Sequence, residues 1–128
     1  MDRLKWDETD FLVITEVVPI IEDYEVRHQY GFERGSLRVE LDVRQLESYI
    51  SIDIRDKGDS GGIILEMSFY CRAGATVSDN VIKFQDCVFV EGRFTYIEKR
   101  EVLHKEKIPY GNDVFLYISQ DSVGVRIK

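Results

Sequence analysis

The sequence is poor in the residues that most often announce a chemistry. Its 128 residues include two cysteines, two histidines, two prolines and one tryptophan. Two cysteines without Cys-x-x-Cys spacing, and two histidines without a partner at ligand spacing, build no zinc site. A phosphate loop and a dinucleotide glycine fingerprint are absent as well, and no cofactor is expected. No window approaches the ~18–20 uncharged apolar residues of a membrane-spanning helix. Cations are in deficit, with 17 Lys+Arg against 24 Asp+Glu and a net charge of −7, which argues against nucleic acid, whose binding is driven by cations on phosphate. What the chain does have is 44% hydrophobic and 12% aromatic content, which excludes disorder and is enough for a core in a single domain over 1–128.

The longest apolar stretch is Phe11–Ile21, FLVITEVVPII. Asp7, Glu8 and Asp10 precede it where a signal peptide carries positive charge, and Glu16 and Pro19 interrupt it. It reads as a buried strand, with Pro19 marking an edge or a bulge. Free thiols and a cytoplasmic location follow from a chain of this size that needs no covalent staple.

Period-2 alternation dominates the rest. Leu37, Val39, Leu41 and Val43 alternate with Arg38, Glu40 and Asp42, while Ile50, Ile52 and Ile54 alternate with Ser51, Asp53 and Arg55. Ile63, Leu65, Met67, Phe69 and Cys71 continue the pattern. Further strands are expected at Val81–Val90, Arg93–Ile97, Asp113–Ile118 and Val123–Ile127. No segment keeps a 3.6-residue period over three turns, and Glu98–Lys107 reads as a helical turn or an edge strand. Turns fall at Arg44–Tyr49, Arg55–Gly62, Arg72–Asn80, Pro109–Asp113 and Gln120–Ser122. The expectation is an all-β chain with little helix, an antiparallel meander forming one curved sheet or a small barrel.

Keeping apolar residues on one face pairs Val43 with Ile50, Leu41 with Ile52 and Val39 with Ile54. The following hairpins then pair Ile54 with Ile63, Ile52 with Leu65, Ile50 with Met67, Phe69 with Ile82 and Met67 with Phe84. On that register Cys71 points inward and Cys87 outward, several pairs apart, and no disulfide is expected because a bridge needs Cα atoms within ~7 Å.

Gly58-Asp59-Ser60-Gly61-Gly62 spells GDSGG, which resembles the nucleophile loop of trypsin-like serine proteases. The resemblance implies Ser60 as nucleophile and Gly58 as part of an oxyanion hole, with a histidine as base. It covers five residues. His28 stands in Val26-Arg27-His28-Gln29-Tyr30 rather than before a cysteine, Ile63 replaces the usual proline, and the chain has room for about one of the family's two barrels. The run therefore reads as a hairpin turn, whose expected residues are Gly, Asp and Ser. His28 and His104 read as solvated surface residues. Asp53, Asp56 and Asp59 lack the alternating spacing of a calcium loop. Trp6, with Leu4, reads as a plug over one end of the core, and Tyr24, Tyr30 and Phe32 as packing residues.

Residues 22–56 carry nine acids against five arginines, whereas Arg93–Lys107 carries five bases against three acids. On the register above Glu40 faces Asp53, Ser51 faces both Asp42 and Glu66, and Arg38 faces Arg55. Like charges across a ladder are destabilising, so Glu40, Asp42, Asp53 and Glu66 are expected to form an acidic patch for a basic protein partner. The alternative is diagonal neutralisation by Arg38 and Arg55. The size and charge are similar to those of small acidic inhibitors of basic toxins or nucleases, such as bacterial immunity proteins. The expected function is a small acidic, non-enzymatic binding protein of immunity or inhibitor type, present as a monomer or weak dimer. The alternative is a β-barrel carrier of an apolar small molecule, although the Gly-x-Trp signature of lipid-binding barrels is replaced by Lys5-Trp6-Asp7.

Overall fold

Alternating apolar residues place one face of a strand against a core, and in the computed structural model that face is continuous across one antiparallel sheet. The structure describes residues 3–22, 24, 26–58, 62–95, 100–101 and 111–128, and for 91–95 and 100–101 it describes the backbone. The elements are helix α1 (Glu8–Thr15) and strands β1 (Ile20–Glu22), β2 (Arg27–Arg34), β3 (Leu37–Arg44), β4 (Tyr49–Asp56), β5 (Ile63–Ser78), β6 (Val81–Thr95), β7 (Arg100–Glu101), β8 (Asn112–Ile118) and β9 (Val123–Ile127). The sheet runs β1-β2-β3-β4-β5-β6-β8-β9, with β7 on the far half of β6. It is a meander that curls without closing, so the open curved sheet, rather than a small barrel, is the form the chain takes.

The expected strand at Phe11–Ile21 is overturned. Asp7 caps a helix there, its Oδ1 accepting the N–H groups of Thr9 at 2.8 Å and Asp10 at 3.3 Å. Glu8 and Asp10 complement the positive end of the helix dipole. Phe11 and Ile14, three apart, share the buried face. Glu16 ends the helix in the left-handed region at φ 60°, and Arg34 Nη2 donates to the Thr15 carbonyl at 2.9 Å. The β-branched residues Val13, Ile14 and Thr15 favour a strand by propensity, but capping and the burial of Phe11 decide the outcome. Only Ile20–Glu22 extends, as an exposed edge strand just after Pro19.

The β3–β4 register is the expected one: Val43↔Ile50, Leu41↔Ile52, Val39↔Ile54. The next is displaced by two residues, to Ile50↔Phe69, Ile52↔Met67 and Ile54↔Leu65, with Ile64 absorbed in a bulge before Arg55↔Ile63. Alternation fixes which face a residue takes but not which same-face partner it meets. The third hairpin differs more. The expected turn at Arg72–Asn80 is strand up to Ser78, and the chain reverses at Asp79 and Asn80 between Ser78 and Val81. Gly74, at φ +103°, serves a bulge inside the strand rather than a turn. Phe69 therefore pairs with Phe89, Met67 with Gly92, and Cys71 lies directly opposite Cys87. Both cysteines are inward and buried, which corrects the expected outward Cys87.

One strand escaped the sequence reading altogether. In β2, His28, Tyr30 and Phe32 alternate inward between polar and charged neighbours. His28 is 1% exposed and not a solvated surface residue, and Tyr24 is fully exposed in the β1–β2 turn rather than packed.

Inward residues of β2–β6 and β8 make the core, and Phe11 of α1 lies on them, edge-on to Phe84 and tilted against Tyr30. The segment before the helix crosses the open end. Leu4 N–H donates to the Gln45 carbonyl at 2.8 Å and Lys5 carbonyl accepts from Ala75 N–H at 2.9 Å. Trp6 packs edge-on against Phe11, His28 and Tyr30, the plug that its position foreshadowed, on an irregular segment.

Candidate functional site

The outer face of β2–β5 carries the charged residues, because every inward position in these strands is apolar or aromatic save His28. Register aligns them in rows across the strands. One row runs Gly31, Glu40, Asp53, Glu66 and ends at the position of Arg93. The next runs Gln29, Asp42, Ser51, Ser68. On the other side lie Glu33, Arg38 and Arg55. Three of the four expected partner-binding residues thus stand directly across from one another. The two-residue displacement of β5 brings Glu66 opposite Asp53 instead of Ser51.

Arginines answer part of this charge. Asp42 is held by Arg27, with Nε at 3.0 and 3.2 Å from its two oxygens and Nη2 at 2.9 Å. Arg38 bridges Glu33 at 3.8 Å and Glu40 at 3.7 Å, and Arg55 Nη2 lies 3.3 Å from Asp53 Oδ2. Neutralisation is therefore real at Asp42, from Arg27 rather than from the expected Arg38 or Arg55, and at Asp53, from Arg55 two residues along the same strand. It is loose at Glu40, whose side chain is 67% exposed and whose partner is a long, solvated contact. Asp53 Oδ1 is buried and accepts no hydrogen bond from any described residue. Gly31 leaves the row without a side chain at its β2 end. Arg38 lies across the gap, so that a Cβ at position 31 would meet Arg38 Nη2 at 2.9 Å. The result is a groove of about 280 Å³ walled by Ile20 and floored by Glu40, Asp42, Ser51 and Asp53.

A second polar cluster lies on the inner side, at the end plugged by Trp6. His28 Nε2 is 3.4 Å from Glu8 Oε1, while His28 Nδ1 and the Tyr30 hydroxyl are buried without a hydrogen-bond partner among the described residues. Burial, helped by the negative charge of Glu8, pushes the Tyr30 phenol above its ordinary range. Trp6 Nε1 donates to Gln45 Oε1 at 3.3 Å. This arrangement fastens the first turn of α1 to β2.

Among the described residues, nothing of the protease-like run is brought near His28. Ser60 and Asp59 lie outside the described residues, as does His104. The Gly58 N–H is already given to Asp56 Oδ1 at 2.9 Å. His28 pairs across β3 with Val43, the neighbour of Ile50, whereas Gly58 follows the opposite end of β4. That separation is roughly 20 Å at the rise of a strand. Asp56, in capping Gly58, and Asp53, beside Arg55, point to no shared ion, and no group of three His, Cys, Asp or Glu among the described residues is arranged to hold a metal.

The chain was compared with protein-family models, curated proteins and solved structures. None matches. The geometry of the outer face is thus the whole basis for a functional reading. What sequence inspection missed there was the β2 side of the groove, since Ile20, Arg27 and Gly31 carry no motif and join the acids only through pairing.

Proposed function

We propose that the protein is a small non-enzymatic binding protein that receives a basic protein partner on the outer face of β3–β5, as an inhibitor- or immunity-type protein does. The observation that carries this reading is the lateral row Glu40–Asp53–Glu66. Three carboxylates directly across adjacent strands repel one another, a cost of some tenths of a kcal/mol per pair, and a row of arginines or lysines on a partner relieves it. Net charge supports the same direction, since −7 steers cations and accelerates their association. The carrier reading has less behind it: the inner face is filled by Phe11, Phe69, Phe84 and their neighbours, where a carrier keeps space for ligand. A cytoplasmic monomer or weak dimer fits two buried, unbridged thiols and a sheet whose β1 edge is short.

The test uses charge reversal where it leaves the fold alone. Glu40→Lys with Glu66→Lys should abolish capture of a basic partner at low salt, whereas Glu47→Lys, in the β3–β4 turn, should leave it. Association of the wild type should slow as salt is raised, since this contact is screened. Equal loss with Glu47→Lys would reduce the effect to net charge and end the reading.

A further inference from the structure

Cys71 and Cys87 are the chain's two cysteines, and folding sets them face to face across β5 and β6. The Cys71 N–H donates to the Ser48 carbonyl at 2.8 Å, so its hydrogen-bonding side is turned toward β4. Its pairing with Cys87 is then of the non-hydrogen-bonded kind, in which facing Cα atoms stand about 4.5 Å apart and side chains are closest. That spacing lies within the ~4.4–6.8 Å range of disulfides. The thiols point to the same side, 1% and 0% exposed; the Cys71 thiol donates to the Gly74 carbonyl at 3.1 Å and the Cys87 thiol to the Phe84 carbonyl at 3.3 Å. Next to the pair the ladder is already broken: Arg72 and Ala73 stand opposite Asp86 alone, and Asp86 takes a left-handed φ of 56°.

We propose that Cys71 and Cys87 are a redox-active pair that a hydroperoxide closes to a cross-strand disulfide inside the native fold. Burial of both thiols excludes bulky oxidants and leaves a small hydroperoxide as the class that fits. The two sulfurs are not equivalent. Contact with Cys87 is the main influence lowering the Cys71 thiol, and the same contact raises Cys87. In the proposed step Cys71 supplies the thiolate. Its sulfur attacks one peroxide oxygen: an S–O bond forms, the O–O bond breaks, and the leaving oxygen takes a proton as water or alcohol. The Cys87 sulfur then gives up its proton and attacks the sulfenic sulfur. The S–S bond forms, the S–O bond breaks, and water leaves. Two electrons pass from the thiols to one hydroperoxide, and a dithiol reductant reverses the step.

The experiment treats the folded, reduced protein with hydrogen peroxide and weighs it intact without reductant. The expected product has lost two hydrogens, forms while circular dichroism stays native, reverts with dithiothreitol, and melts roughly 5–10 °C higher, because the link closes a short loop in the unfolded chain. Cys87→Ser keeps a hydroxyl donor beside Cys71 and should accumulate a sulfenic acid trapped by dimedone, whereas Cys71→Ser should give much less. Oxygen addition to the wild type without loss of hydrogens would overturn the proposal. So would disulfide formation seen only in denaturant, or an oxidised form that melts no higher. If either serine variant fails to fold, the wild-type mass and melting temperature decide alone.

Discussion

Tyr30 puts a phenol where no described group answers it. Its ring packs against Phe11 and Trp6, and its hydroxyl is buried without a partner. Removing the oxygen therefore removes a desolvation cost rather than a bond, and Tyr30→Phe should leave stability at neutral pH unchanged or raise it by about 1 kcal/mol. The pH dependence has a definite sign. Burial, with Glu8, raises the phenol in the folded state, whereas in the unfolded chain it ionises near the ordinary value of 10.0. The neutral form is the one the fold favours, so this contribution is whole below pH 10 and is lost as pH climbs above it. Tyr30→Phe should move alkaline unfolding to higher pH, followed by circular dichroism. An unchanged midpoint would place the limiting ionisation elsewhere.

Among the elements, α1 shows how a few side chains overrule a local preference. The run from Phe11 to Thr15 reads as strand by composition, yet Asp7 captures two of the free N–H groups that begin a helix. Asp7→Ala should cost about 0.5–2 kcal/mol, measured by urea denaturation. Phe11→Ala should cost more, about 3–5 kcal/mol, because the ring lies against Tyr30, Trp6 and Phe84 and its loss leaves a cavity between helix and sheet. A smaller loss for Phe11→Ala than for Asp7→Ala would mean that the helix is held by its cap and not by its buried face. Strands β3 and β4 posed no such conflict: their alternation is strict, and face, partner and register were all legible.

For the molecule as a whole, curvature decides what meets what. The β2–β3 turn reaches the β8–β9 turn, where a Cβ on Gly35 would run into the Asp121 carbonyl oxygen, and Gly35 has a left-handed φ of +57°. Gly35→Ala combines strain with a backbone clash and should cost about 1–3 kcal/mol, read as a fall in thermal midpoint. Loss of stability smaller than this would show the two turns to be free to part. The outer face depends on the same curl, because the groove over Gly31 exists only where β1 lies beside β2 and carries Ile20 to its rim. The reversals at Glu40 and Glu66 probe that face without touching the core, since both side chains point away from it.

The sequence by itself determined the class of the fold, the face of almost every residue in β3 and β4, and the net charge of the molecule. Those properties follow from period-2 alternation and composition, which are local. It did not determine the β4–β5 and β5–β6 registers, since shifts of two residues keep every side chain on its face and only bulges at Ile64 and beside Gly74 select among them. It did not determine that FLVIT would coil, because the ring contacts of Phe11 come from residues far along the chain. The same shifts turned two unrelated cysteines into neighbours and placed Glu66 against Asp53. Tertiary structure decided these because bulge position and strand pairing are settled by the packing of the whole sheet, and no short window of sequence contains it.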